Sequence, residues 1–336
     1  MIINDAGIYY YQKSKRRKRR KFPIVFFIIF LVLAWVGYVI YDHFLSRPKE
    51  IAGVTASQLL SNITPTPKKQ TENRLGDVVR ETLKGTKGSY GIIILNLRTG
   101  EYYFQNESRS YEAASLYKLW VMATAFDQIK NGRLREADVL SQDLDVLRMK
   151  FNIATPSGEM NDEEEKDEEN IISYTVKDAL TQMITISDNN AALLLSERVR
   201  LANVAYFLEK QGFISSSLGT NNAGPFTTPL EIALFLKKLY EGKLVDGASS
   251  KKMLDLLRWQ KLNNKIPKYL PENLFIAHKT GELDEFNHDV GIVFTPSGDY
   301  IIVILSQSNI SSRYLVEEKI AILSRDIYKY FSTNDR

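Results

Sequence analysis

The chain of 336 residues contains no cysteine. Disulfide bonds, thiolate metal sites and cysteine nucleophiles are therefore excluded. An exported protein that does without disulfides and a cytosolic protein would both have this composition, so the absence assigns no compartment. Hydrophobic residues make up 44% of the chain and charged residues 25%, which is typical of a globular protein with a buried core.

Most of the chain carries no excess of positive charge, although the formal net charge is +4. Eight Lys or Arg residues lie between Lys13 and Lys21, and the remainder without them is slightly acidic. The positive charge therefore belongs to one tail and gives no indication of a nucleic-acid partner.

A run of about twenty residues without a charge, Phe22 to Tyr41, follows the basic tail, and it is long enough to cross a hydrocarbon core of roughly 30 Å. Trp35 lies toward its outer end, where aromatic rings favour the membrane interface. A buried core helix and a cleaved signal peptide are the alternatives. The apolar core of a signal peptide has roughly 7–15 residues and ends at a cleavage site that is missing here. Because positive flanks stay in the cytoplasm, residues 1–21 should be cytoplasmic and the chain from Asp42 onward extracytoplasmic. We therefore expect a single-pass cell-membrane protein with one transmembrane helix over residues 22–41.

The rest of the chain divides into a linker and one globular domain. Residues 42–73 are polar and contain the run Thr64-Pro65-Thr66-Pro67, which predicts a weakly ordered linker. Residues 74–333 have the apolar spacing of a helix, two strands, several helices, three strands and a closing helix. A sheet built from both ends of a chain, with an all-helical insert between them, is an α+β architecture. We expect an antiparallel five-stranded sheet flanked by helices, with the first and last helices on one face.

An acidic stretch interrupts the predicted helical insert. Seven acidic residues and one lysine lie between Met160 and Asn170. Such a segment cannot bury a face, so residues 156–170 are predicted to form a disordered surface loop. A carboxylate metal cluster is the alternative, but hard-cation loops need a turn-forming glycine, and none lies between Met160 and Asn170.

Three short motifs occur in the globular part in the order Ser115-Leu116-Tyr117-Lys118, Ser187-Asp188-Asn189 and Lys279-Thr280-Gly281. The S-x-x-K spacing alone carries little information, because it recurs at Ser46–Lys49 and Ser249–Lys252. The context is more specific: the first motif follows a predicted strand pair and opens a predicted helix over 115–130. The second lies between two predicted helices, and the third ends a predicted strand over 274–279.

In that order and context the three motifs resemble the active-site signature of class A β-lactamases and penicillin-binding proteins. The resemblance extends from Leu75 to Phe331. It is supported by Phe226-Thr227-Thr228-Pro229 at the start of a predicted helix.

The first motif has a physical reading of its own. A serine hydroxyl is a weak nucleophile and needs a base. Residues three apart share one face of a helix, so the Lys118 amine can reach the Ser115 hydroxyl. Lysine acts as a base near neutral pH only when its pKa is lowered, and burial or a second cation such as Lys279 would lower it. A plain N-cap is the alternative for a serine at a helix start, and the two companion motifs argue against it.

The resemblance implies roles for the second motif. Ser187 would pass a proton toward the leaving group, and Asn189 would bind the substrate amide and orient Lys118. A helix N-cap or an Asx-turn is the competing interpretation of this motif.

The resemblance also implies a binding strand. Lys279 and Thr280 would meet a substrate carboxylate, and the backbone N–H groups of Ser115 and Glu282 would form an oxyanion hole. Gly281 would let the substrate approach closely. The alternative is an ordinary strand end followed by a turn. His288, on the next predicted strand, would stand where relatives keep a cation for that carboxylate, although a lone histidine is more often structural.

The sequence departs from the family in one respect. Class A β-lactamases use a glutamate on a loop after the second motif to activate water for deacylation. No glutamate between Asn189 and Lys279 is followed by two residues and then Leu-Asn, and Gly212 to Thr228 contains no acid. A base for deacylation is therefore not identified.

Three functions stay open at this point. The chain could hydrolyse small-molecule β-lactams, it could be a D-alanyl-D-alanine peptidase acting on peptidoglycan stem peptides, or it could be a sensor that acylates once or not at all. Nothing in the sequence indicates a metal or an organic cofactor, and the oligomeric state is not predicted.

Overall fold

The computed structural model describes residues 74–151, 170–219, 224–308 and 313–333. The expected tail 1–21, transmembrane helix 22–41 and linker 42–73 lie outside the described residues, as does the acidic loop up to residue 169. Within the described ranges, no helix combines the length and apolar character that a bilayer crossing requires.

A five-stranded antiparallel sheet forms the centre of the domain, as predicted. The chain order of all described strands is Ser89–Asn96 (β1), Tyr102–Gln105 (β2), Tyr111–Glu112 (β3), Val139–Asp143 (β4), Ile171–Thr175 (β5), Phe226–Thr227 (β6), Phe275–Leu283 (β7), Phe286–Phe294 (β8) and Tyr300–Gln307 (β9). The sheet has the order β2-β1-β9-β8-β7. The two ends of the chain therefore join where β1 pairs with β9, with Ser89 opposite Gln307 and Asn96 opposite Tyr300.

Helices cover both faces of this sheet. They are Arg74–Leu83 (α1), Tyr117–Lys130 (α2), Leu144–Lys150 (α3), Val176–Thr185 (α4), Asn189–Val199 (α5), Leu201–Gln211 (α6), Pro229–Tyr240 (α7), Gly247–Arg258 (α8) and Arg313–Thr333 (α9). Successive strand residues point to opposite faces, so Ile92 of β1 packs in the cluster formed by α1 and α9. Ile93 packs with the remaining helices. The expected pairing of the first and last helices on one face is confirmed.

Polar caps fix where several helices begin. Thr175, Asp188, Thr228 and Asp246 each accept the backbone N–H three residues on, which satisfies a donor that the helix leaves free. The cap at Asp188 also fixes the position of the second motif, because α5 begins at its last residue.

The insert between the two halves of the sheet is not all-helical, so that prediction is wrong. Strand β4 pairs with β5, with Val139 opposite Thr175 and Asp143 opposite Ile171, and β3 pairs with β6. These strands are short, and β4 buries only Leu140, so their apolar pattern is too weak to read from the sequence.

Strand β7 extends further than predicted. It continues to Leu283 and pairs with β8 up to Leu283 opposite Phe286. The third motif therefore lies within the strand rather than at its end. Pairing with β8 outweighs the low strand propensity of Gly281, which a local pattern cannot anticipate.

Candidate active site

Ser115 lies in a single 3-10 turn, Ala114–Leu116, which leads into α2. Ala114 has a positive φ of 45°, a conformation that costs an L-residue roughly 1–2 kcal/mol. The N–H of Ala113 donates to the carbonyl of Pro225 at 2.6 Å and so ties the turn to the segment before β6. The α-helix expected from Ser115 thus starts two residues later, at Tyr117, and Ser115 sits partly exposed in a strained turn.

Lys118 is fully buried beneath this turn. Its amine donates to the carbonyl of Ser187 at 2.5 Å, to the Ser187 hydroxyl at 3.2 Å and to Oδ1 of Asn189 at 2.8 Å. These contacts use all three donors of an ammonium group, and the contact with Asn189 is the one expected to orient Lys118. Burial lowers the pKa of Lys118 to about 8, while the carboxylate of Asp188 acts in the opposite direction.

Ser187 occupies the turn between α4 and α5 with a φ of 61°. Its hydroxyl lies 3.2 Å from the Lys118 amine and 2.9 Å from the Lys279 amine. The cap and Asx-turn alternative is also correct in part, because Asp188 accepts the N–H of Ala191 at 2.7 Å. The motif therefore starts a helix and holds a hydroxyl between two amines.

Lys279 lies on β7, where it is fully buried. Besides the Ser187 hydroxyl, its amine reaches the carbonyl of Thr280 at 2.9 Å. Burial lowers the pKa of Lys279 well below its ordinary value, and the charge of Lys118 lowers it further. Protonation of both amines is unfavourable, because two positive charges would then lie close together at the Ser187 hydroxyl.

The turn that carries Ser115 packs directly against β7. A Cβ on Gly281 would lie 3.1 Å from both the carbonyl oxygen of Ala113 and Cγ of Leu116. The close approach that this glycine permits is therefore to the serine turn itself. Among the described residues, the Ser115 hydroxyl has no hydrogen bond to Lys118 or Lys279, since Ser187 and Asn189 hold those amines.

Thr280 and Glu282 lie on the same face of β7, because alternate strand residues do. The Glu282 carboxylate forms an ion pair with Lys265 and accepts from Nη1 of Arg313 at 3.2 Å. Burial raises the pKa of Glu282, but the charges of Lys265, Arg313 and Lys279 outweigh it, so the pKa lies below its ordinary value. Sequence reasoning gave Glu282 a backbone role only. It missed these partners because they come from 17 and 31 residues away and no local pattern marks them.

His288 does not supply a cation, and that expectation is wrong. The residue is fully buried on β8. Its Nε2–H donates to the carbonyl of Glu112 at 2.7 Å, and its Nδ1 accepts the N–H of Ser306 at 3.1 Å. Burial lowers the pKa of His288 to about 4, so a neutral ring holds the strand that precedes the serine turn.

Two of the described acids that follow the second motif, Glu231 and Glu197, have partners of their own. Glu231 is buried, accepts the N–H of Ser215 at 2.7 Å and has its pKa raised chiefly by burial. Glu197 pairs with Lys150 at 2.5 Å. The described ranges contain no group of three or more His, Asp or Glu side chains that could hold a metal ion.

A partly exposed serine, two lysines around a second serine, and the edge strand of a five-stranded antiparallel sheet define a class. It is the class of serine hydrolase folds that comprises class A β-lactamases and penicillin-binding proteins. The chain belongs to the beta-lactamase enzyme family, whose model matches residues 72–331.

Solved structures agree with this family. A beta-lactamase from Sphaerobacter thermophilus DSM 20745 is 24% identical, with a TM-score of 0.65 over 77% of this chain and 97% of that one. A mutant of PBP-A, solved as an acyl-enzyme complex with penicillin G, is 22% identical, with a TM-score of 0.68 over 80% and 99%. A beta-lactamase from Chitinophaga pinensis DSM 2588 is 21% identical, with a TM-score of 0.65 over 77% and 99%. No curated protein matches the chain. At these identities the structures establish the fold.

Proposed function

We propose that this protein is a membrane-anchored serine hydrolase that is acylated at Ser115 and cleaves the amide bond of β-lactams. The observation that carries the proposal is the meeting of two buried amines, Lys118 and Lys279, at the Ser187 hydroxyl, beside a turn that presents Ser115. Buried lysines with lowered pKa values are suited to accept a proton near neutral pH.

Acylation would proceed by attack of the Ser115 oxygen on the lactam carbonyl carbon. The Oγ–C bond forms and the C–N bond of the ring breaks. The neutral Lys118 amine takes the proton of Ser115, and Ser187 delivers a proton to the departing nitrogen and regains one from a lysine, so the proton count is unchanged. With a pKa of about 8, Lys118 is neutral in about a tenth of the molecules at pH 7. The N–H groups of Ser115 and Glu282 would bind the developing oxyanion.

Hydrolysis of the acyl-enzyme should be the slow step. Glu231 is committed to Ser215, and the stretch from Gly212 to Thr228 carries no acid that could activate a water molecule. A mutant of PBP-A has been solved as an acyl-enzyme complex with penicillin G, which supports acylation by penicillin on this fold.

A second candidate is a D-alanyl-D-alanine peptidase of peptidoglycan. Strand β7 pairs with β8 alone in the described sheet, so its outer edge can accept an extended peptide as an added strand. A sensor that stays acylated is the third possibility. We place the domain outside the cell membrane, held by residues 22–41, because the basic residues 13–21 precede that run and favour the cytoplasmic side.

The deciding experiment follows the intact mass of the full-length protein in detergent after mixing with penicillin G. An adduct that decays slowly, with hydrolysed penicillin appearing in solution as it decays, is expected. A lasting adduct with D-alanine release from a peptide ending in D-Ala-D-Ala would favour the peptidase, and a lasting adduct without release would favour the sensor.

Ser115→Ala should abolish the adduct. Ser249→Ala is the matched control, because Ser249 opens the other S-x-x-K spacing within the domain, on α8, and it should acylate normally. Labelling that survives in Ser115→Ala would refute the assignment of the nucleophile.

A further inference from the structure

Two cationic side chains hold one carboxylate near the end of β7. Lys265 is fully buried and its amine pairs with Glu282, while Arg313 is half-exposed and reaches the other carboxylate oxygen at 3.2 Å. Glu282 itself is 28% exposed, so solvent and ligands can approach it.

The position of Glu282 relative to Thr280 connects this cluster with substrate binding. The two side chains share one face of the strand, and their Cα atoms are about 7 Å apart, the repeat of two strand residues. Thr280 is the residue proposed to receive a substrate carboxylate. Lys279 is held by the Ser187 hydroxyl, and the two cations beside Glu282 are already bound to a carboxylate of the protein.

We propose that Lys265 and Arg313 form, beside Thr280, a subsite for a carboxylate, and that Glu282 occupies this subsite as an internal competitor. The inference rests on the proposed acylation at Ser115. Under it, the protein disfavours substrates that carry a free carboxylate at this position and accepts neutral ones comparatively well. The specificity is set by the charge of one side chain on the binding strand.

The physical reason is the repulsion between the carboxylate of the substrate and that of Glu282. A substrate carboxylate about 7 Å from Glu282 is repelled by an amount that corresponds to at least about tenfold in binding at the effective dielectric near a protein surface. Removing the charge of Glu282 reverses the sign of the local field, because the buried Lys265 is then an unpaired cation. Such a cation strongly favours an incoming anion.

The competing interpretation is that the cluster is only a brace. Glu282 would then tie the loop that carries Lys265 and the start of α9 to β7, with no effect on which substrate reacts. The two interpretations differ in whether charge at position 282 discriminates between a carboxylate and its ester.

The test compares penicillin G with its methyl ester, using the second-order rate constant of acylation of the full-length protein. Glu282→Gln should raise the ratio of the carboxylate rate to the ester rate about tenfold. Glu282→Asp keeps the charge and is the matched control, so its ratio should stay within about threefold of the parent. Arg313→Gln added to Glu282→Gln should remove most of the gain.

The outcomes separate the two levels of inference. If neither compound acylates the parent protein, the proposed function fails. If both compounds acylate it and the ratio of their rates is the same in parent and Glu282→Gln, the proposed subsite is refuted and the cluster has only a structural role. Should Glu282→Gln not fold, Arg313→Gln alone decides, because loss of that exposed cation must lower the ratio at least about twofold. An unchanged ratio would overturn the proposal.

Discussion

Replacing Asp188 by Asn isolates one charge next to the proposed base. The carboxylate of Asp188 raises the pKa of Lys118 against the larger lowering by burial. It also caps α5 by accepting the N–H of Ala191 at 2.7 Å. Asparagine caps helices about as well as aspartate, so the substitution removes the charge and keeps the turn.

The expected size of the effect follows from the pKa of Lys118. At a pKa of about 8, about a tenth of the amines are neutral at pH 7. Loss of a neighbouring negative charge makes the ammonium less stable and lowers the pKa by roughly one unit, which leaves about half of the amines neutral at pH 7. Acylation should therefore be about fivefold faster at pH 7, while the plateau above pH 9 should be unchanged.

The assay is the single-turnover acylation rate with a chromogenic cephalosporin between pH 5.5 and pH 9.5. Parent protein should show an acid limb with a midpoint near pH 8, and Asp188→Asn should move that limb to lower pH. Asp246→Asn is the matched control, because Asp246 caps α8 through the N–H of Ser249 at 2.7 Å and should leave the profile in place. If the acid limb of the profile does not shift in Asp188→Asn, Lys118 is not the group that titrates.

Three further predictions concern neighbouring residues. Because burial lowers the pKa of His288 to about 4, the unfolded chain binds the proton first, and stability should fall by about 3 kcal/mol as the pH drops from 6.5 to 4. Urea unfolding should show this dependence weakened in His288→Asn, and an equally steep fall there would contradict it. Gly281→Ala places a methyl group 3.1 Å from the carbonyl of Ala113 and should slow acylation by roughly 10–100-fold through displacement of the serine turn, with the Tm as a check on folding. Glu231→Gln should leave the deacylation rate within about twofold, because its carboxyl is bound to Ser215; a large loss would make Glu231 the missing base.

The sequence by itself determined the parts that depend on local physics. The apolar spacing predicted the order of the strands and of the first and last helices, and Phe226-Thr227-Thr228-Pro229 marked the start of α7, because these signals act between neighbours in the chain. The order of the three motifs was enough to indicate the family and to name the residues that meet in the candidate site. Their catalytic roles, and the membrane anchor, stay predictions.

Only the tertiary structure decided how those residues are arranged. Ser187 meets Lys118 across 69 residues and Lys279 across 92, and those contacts set the burial that lowers both pKa values. The position of His288 in a covered strand made it neutral, and Lys265 and Arg313 gave Glu282 a charged environment that no motif contains. Burial and charge pairing depend on which distant segments pack together, and a linear pattern does not encode that directly.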